Sequence, residues 1–209
     1  LGHGRARTRT LGRVARVQLQ PQGLIIETPG QTPNGYFYDP SRLVQVERLL
    51  ITDLGIEATT PTGEQLLDIH HINHPDKEYD DDDLICIGFT SHYDAMRAYF
   101  GAHMVDGIGG ENIIVECDQE IWSENLGKQI VIENTQTGRQ LKLELVEPTT
   151  PCPEFGQFAM GDAYEKFPAT KMKATLQFLA RGRRGFLFVP QAGEESVTVQ
   201  PGDKVFAVD

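Results

Sequence analysis

Apolar residues in this chain come in short runs, and turn-forming residues interrupt nearly every one. The 21 Gly and 12 Pro are spread along the whole length of 209 residues, which leaves space for strands and few long helices. Val14, Val17 and Leu19 alternate with polar residues up to Pro21. Residues 43–47 alternate again and 49–52 continue, followed by a turn at Asp53-Leu54-Gly55 and a further short strand. Residues 84–89 are wholly apolar and short enough for a buried strand. Residues 113–115 follow a glycine-rich loop. Residues 129–133 and 140–146 alternate around Asn134 and Gly138, a hairpin signal. Residues 185–189, 196–199 and 204–208 close the chain, the last two joined by the turn Pro201-Gly202-Asp203. Two stretches have helical spacing. Residues 93–100 place Tyr93, Met96, Tyr99 and Phe100 on one face, with Thr90 or Ser91 as cap; residues 171–181 place Met172, Leu176 and Leu179 together. About ten strands and two short helices predict a mainly β, barrel-like or folded-sheet domain.

The apolar fraction of 39% is enough for a core, and no run predicts a membrane-spanning helix. Charge is uneven. Arg5, Arg7, Arg9, Arg13 and Arg16 stand in a segment without acids, which leaves 14 basic against 30 acidic residues in the rest. An acidic body repels a phosphate backbone, so nucleic acid is not expected as a partner. Residues 1–12 read as a flexible basic tail and 13–209 as one domain. The absence of an apolar segment behind the arginines and the odd, widely spaced set Cys86, Cys117 and Cys152 give no secretory or disulfide signal, so the cytoplasm is the expected compartment. The start at Leu1 without Met suggests a trimmed or fragmentary N-terminus.

Chemistry concentrates in three places. In Glu147-Pro148-Thr149-Thr150-Pro151-Cys152-Pro153 a thiol stands between two prolines. Proline fixes its own φ and pushes the preceding residue to extended backbone, so Cys152 is expected on a stiff loop after a strand. Two readings stay open: a space-filling cysteine, or a thiol presented in a fixed geometry to a ligand. The loop Gly107-Ile108-Gly109-Gly110-Glu111-Asn112 has neither phosphate-loop spacing nor a following helix. It reads as a tight turn that places Glu111 and Asn112, either against a ligand or to tie the loop together. Asp68, His70, His71 and His74 form a histidine-rich segment before Pro75. The spacing is not a zinc signature; one histidine in a pocket, a metal ligand, or structural histidines are the readings. The run Asp80 to Asp83 lacks the glycine and final glutamate of a calcium loop and reads as solvated.

Taken together, Asp68-x-His70-His71, Phe89-Thr90-x-His92-Tyr93-x-Ala95-Met96-Arg97, Gly110-Glu111-Asn112-Ile113, Glu147-Pro148-x-x-Pro151-Cys152-x-x-Phe155 and Gly182-x-Arg184-Gly185-Phe186 with Gly202-Asp203 resemble the MOSC domain, named for the C-terminal part of molybdenum cofactor sulfurase. The resemblance covers most of residues 13–209. It implies a compact barrel of the kind found as the β-barrel domain of pyruvate kinase, and one key cysteine, Cys152, that carries sulfur or ligates molybdenum. It also implies that Gly110, Glu111, Asn112, His70, His71 and Arg97 contribute to a cofactor pocket, and the candidate groups for lowering the thiol's pKa are Arg97, His70, His71 and Arg184. Molybdopterin is the cofactor so implied. Pyridoxal phosphate belongs to the family only by association, since no stretch here resembles an aminotransferase-like domain. A cysteine desulfurase or a molybdoenzyme is the implied partner. The activities that follow from the resemblance are sulfur transfer or reduction of N-hydroxylated compounds on the molybdenum cofactor, and a non-catalytic binding module is the remaining alternative.

Overall fold

The computed structural model describes residues 8–77, 84–162, 164–193 and 196–208. In chain order the strands are β1 (Thr8–Leu19), β2 (Ile25–Glu27), β3 (Tyr36–Tyr38), β4 (Val44–Val46), β5 (Leu49–Thr52), β6 (Gly55–Thr59), β7 (Gln65–Leu67) and β8 (Ile85–Phe89). Helix α1 (Thr90–Phe100), β9 (Ile113–Glu116), the single turn α2 (Ser123–Leu126), β10 (Gln129–Glu133) and β11 (Gln140–Pro148) follow. Helices α3 (Pro153–Ala159) and α4 (Ala169–Leu179) precede β12 (Phe186–Pro190), β13 (Val197–Val199) and β14 (Lys204–Val208).

Seven strands close on themselves in the order β1-β14-β10-β11-β12-β8-β9 and back to β1. Every pairing is antiparallel except β8 with β9. A parallel pair requires a crossover, which α1 and the loop after it supply. Alternation then decides what fills the barrel: Ile85, Ile87 and Phe89, Ile130 and Ile132, Leu141 and Leu143, and Phe186 and Phe188 all point inward and are buried. The smaller sheet β13-β5-β6-β7 packs on the same core. A second apolar cluster lies outside the barrel wall, where Tyr93 and Met96 of α1, Ile114 of β9, Tyr38, Phe155 and Leu179 meet.

β1 enters earlier than the expected strand. Thr8 pairs with Val208 and Arg9 with Ala207, and the Arg9 guanidinium donates to the Asn125 carbonyl. The basic residues of this segment therefore edge a strand, and the stretch expected as tail is β structure from residue 8; residues 1–7 lie outside the described residues, as do 78–83 with the acidic run. Helix α1 also differs from its expected form. Its N-cap is Phe89 with no side-chain bond, because Thr90 Oγ1 donates to the Cys117 carbonyl (3.3 Å) and Ser91 Oγ to the Gln119 carbonyl (2.8 Å) instead. Ser91, His92, Tyr93 and Met96 form its buried face, while Tyr99 stays exposed and stacks on Phe178 of α4 at 4.1 Å. Four helices stand among the described residues where two were expected, and residues 153–159 form the unexpected α3. Among the described residues no helix is long and apolar enough to cross a membrane.

Candidate functional site

β11 ends at Pro148 and the chain runs extended to Cys152, which has φ −97° and ψ 156°. Pro153 occupies the first position of α3, where a missing N–H costs nothing. The two prolines thus make Cys152 the N-cap of a helix. Its Sγ accepts the Phe155 N–H at 3.5 Å and the Arg184 Nη1 donor at 3.8 Å. Arg184 is almost wholly buried, with its Cζ 3.9 Å from the centre of the Phe155 ring and its Nη2 donating to the Gly109 carbonyl at 2.5 Å. Burial works against its charge, but Tyr38, Cys152 and Glu111 around it more than offset that and strengthen its hold on the proton.

Cys152 and Arg184 open onto a cleft of about 690 Å³ between the barrel and the β2–β3 ribbon. Ile25, Tyr36 and Tyr38 of the ribbon form one wall; Gln20, His70, Gly110 and Thr149 add polar groups; Glu27 and Glu147 add acids. Cys86 also lines it, but burial and Glu111 push its thiol up to about 12, so it stays protonated and donates or accepts weakly against Thr149 Oγ1 at 3.4 Å.

Asp68 is fully buried and ties together the backbone and side chains behind the cleft. Its Oδ2 accepts from the Gln20 N–H (2.8 Å) and from Asn112 Nδ2 (3.0 Å), and its Oδ1 accepts the His70 N–H (3.1 Å) and pairs with His70 Nδ1 (2.8 Å). The carboxylate thereby fixes the imidazole that lines the cleft. Asn112 completes the tie by accepting the Cys86 N–H at 3.0 Å. Gln18 Nε2 donates to the carbonyls of Gly107 and Glu111, and Gln20 Nε2 to that of Gly110, so the glycine loop turns its carbonyls inward. Gly110 adopts φ +96°, and a side chain there would meet Gln20 and Leu24.

Of the sequence-predicted residues, Cys152, His70 and Gly110 meet at the cleft, and Arg184 joins them. Asn112 stands behind, as a support through Asp68. Glu111 is fully buried beneath the cleft, its Oε2 accepting the Tyr93 hydroxyl at 2.6 Å and its Oε1 without a partner; burial pushes its carboxyl up. His71 turns away from the cleft: its Nδ1 accepts the Asn73 N–H (3.1 Å), which leaves Nε2 to pair with Glu57 (3.2 Å). Arg97 is also elsewhere, held by Asp94 and Asp106 at 2.7 Å each. Gln20, Tyr38 and Thr149 were not singled out by sequence. Gln20 and Tyr38 carry no local motif, whereas Thr149 lies inside the proline-rich stretch that flagged Cys152.

The sequence profile of the MOSC domain matches residues 74–206, a span that takes in α1, the glycine loop, Cys152 and Arg184. The chain belongs to the MOSC domain family. That family is linked to molybdenum-cofactor-related function. The architecture of the described residues is mainly β, a closed seven-stranded barrel with four short helices. The crystal structure of YiiM from Geobacillus stearothermophilus is similar over 97% of this chain and 75% of that one, at 12% identity and a TM-score of 0.48. No curated protein matches the chain. Among the described residues of this MOSC domain, no three His, Cys, Asp or Glu side chains converge as a metal-binding group. A metal centre that brings sulfur ligands of its own needs only one protein donor, and a thiolate suits such a soft site. Cys152, which lines the cleft beside the Arg184 guanidinium, offers one such donor.

Proposed function

We propose that this MOSC domain presents Cys152 as its working sulfur, either to carry a sulfane sulfur or to ligate the molybdenum cofactor. The observation that carries the reading is the placement of Sγ at the wall of a large cleft, with a guanidinium at 3.8 Å and a backbone N–H at 3.5 Å. Only the thiolate attacks sulfur or binds a soft metal, and these two donors face the sulfur anion wherever it forms. In the carrier reaction the Cys152 thiolate attacks the terminal sulfur of a donor persulfide, such as that of a cysteine desulfurase. A new S–S bond forms, the donor's S–S bond breaks, and the donor leaves as a thiolate. His70, held by Asp68, stands at the cleft to give that thiolate its proton.

The size of the cleft favours the cofactor-bound version, because a persulfide alone needs far less than about 690 Å³, whereas small-molecule sites occupy roughly 300–1,000 Å³. In that version Cys152 supplies the protein ligand, while Gln20 and Gly110 offer polar contacts and Tyr38 an aromatic wall. The bound cofactor would supply two-electron chemistry for a reductase acting on N-hydroxylated compounds.

Treating the purified protein with a desulfurase and cysteine, then mapping peptides by mass spectrometry, tests the carrier reading. One added sulfur on the Cys152 peptide, lost in Cys152→Ser, is the expected result. Molybdenum analysis of protein isolated from a cofactor-producing host tests the other. Neither added sulfur nor molybdenum would sink the proposal.

A further inference from the structure

The buried pair Tyr93 and Glu111 does not touch the cleft, yet contacts run from it to Cys152. Glu111 is packed among three glycines. A Cβ on Gly88 would lie 3.1 Å from its Cγ, one on Gly185 2.9 Å from its Cγ, and one on Gly109 3.0 Å from its Oε1. Its carboxyl is thus fixed in place. Oε2 accepts the Tyr93 hydroxyl at 2.6 Å, and the same hydroxyl oxygen accepts the Gly109 N–H at 2.9 Å. The Gly109 carbonyl, on the other side of the residue, accepts Arg184 Nη2 at 2.5 Å, and Arg184 Nη1 reaches Cys152 Sγ at 3.8 Å.

We propose that Tyr93, braced by Glu111, is a positioning residue for Cys152: it pins Gly109 so that the Gly109 carbonyl locks the Arg184 guanidinium against Sγ. The inference rests on the reading of Cys152 as the working thiol. The physical reason is that a guanidinium stacked on Phe155 is constrained in its plane but can still slide across the ring. One hydrogen bond to a fixed carbonyl stops that slide. The plane of that carbonyl is held on one side by the Gly110 N–H, which donates to the Gly107 carbonyl at 3.0 Å, and the plane before it by the Gly109 N–H on the Tyr93 hydroxyl, so loss of the hydroxyl frees one of the two anchors. Gln18, which bonds the Gly107 and Glu111 carbonyls, holds the flanks of the loop but not Gly109 itself.

The test compares alkylation of Cys152 by iodoacetate, an anion, and by neutral iodoacetamide, each rate read on the Cys152 peptide. Their ratio reports positive charge at Sγ, and a general loss of stability does not move it. Replacing Arg184 by Gln is expected to lower the ratio about fivefold, the effect of one charge near a partly solvated site. Tyr93→Phe should lower it nearly as far. Glu111→Gln, whose amide oxygen still accepts the Tyr93 hydroxyl, should keep it within about twofold of the parent. Val199→Ala, a core truncation in β13, serves as the stability control and should leave it unchanged. If Tyr93→Phe does not fold, Gly109→Ala decides, since its Cβ would press on the Tyr93 hydroxyl at 3.0 Å. A folded Tyr93→Phe or Gly109→Ala protein with the parent ratio overturns the inference. A parent protein in which Cys152 is alkylated no faster than Cys117 overturns the reading of Cys152 beneath it.

Discussion

Acid should loosen the fold through His92, one residue before Tyr93 on α1. The His92 ring is completely buried, packed against Trp122 at 5.2 Å and edge-on to Phe89 at 5.8 Å. Its Nε2 accepts the Ile121 N–H at 3.0 Å, so a proton placed there would confront a donor with a donor. Burial pulls the imidazole down from 6.5 to about 4. A group whose pKa is depressed in the fold stabilises it above the unfolded value, and that contribution is lost as the pH falls towards the folded value. The window therefore runs from about 6.5 down to 4. Linkage over this window predicts a loss of about 2 kcal/mol between pH 7 and pH 5. The protein has one tryptophan, and it lies against this histidine. Urea unfolding followed by Trp122 fluorescence at both pH values, for the parent and for His92→Gln, measures the effect. The variant should lose about 2 kcal/mol less than the parent over the interval. Equal losses in the two proteins would refute the assignment to His92.

Other changes test the supports of the cleft. Gly185 has φ +87°, and a Cβ there would sit 2.8 Å from the Ile87 carbonyl oxygen; Gly185→Ala should cost about 2–4 kcal/mol in urea unfolding and slow alkylation of Cys152 next to the displaced Arg184. Asp203 is buried and accepts the N–H groups of Thr135 and Gln200, each at 2.9 Å. Asp203→Ala leaves both donors without a partner and should cost about 2–5 kcal/mol, read as a lower denaturation midpoint, with no change in Cys152 chemistry once the protein is folded. Asp68→Asn places an amide donor among the N–H groups of Gln20 and His70, the Asn112 amide and the His70 ring nitrogen. It should destabilise by about 2–4 kcal/mol and, unlike Asp203→Ala, lower the rate of sulfur loading at saturating donor by releasing His70.

The barrel was legible because burial on one face of a strand leaves a period of two in the sequence. β10 and β11 carry Ile and Leu at alternate positions that fill the interior, while β8 showed itself as a short, wholly apolar run. Helix α3 was hidden by the feature that drew attention to it. Proline disfavours helix for the residue before it but not for itself at the first helical turn, so one motif both extends Cys152 and starts the helix behind it. The face of α1 was half legible. Tyr93 and Met96 face the second core, but Tyr99 and Phe100 lie where the helix meets α4, a neighbour distant in sequence. The same limit separates Arg97 from Arg184. Both are arginines in stretches that resemble the family, and local sequence ranks neither above the other. Arg97 finds Asp94 on its own helix and Asp106 nearby, so its charge is taken up locally. Arg184 makes no ion pair among the described residues and stands two residues before β12, whose pairing with β8 and β11 brings it beneath the loop containing Gly109. Closure of the barrel, rather than any residue near Cys152 in the chain, is what sets a cation beside that sulfur.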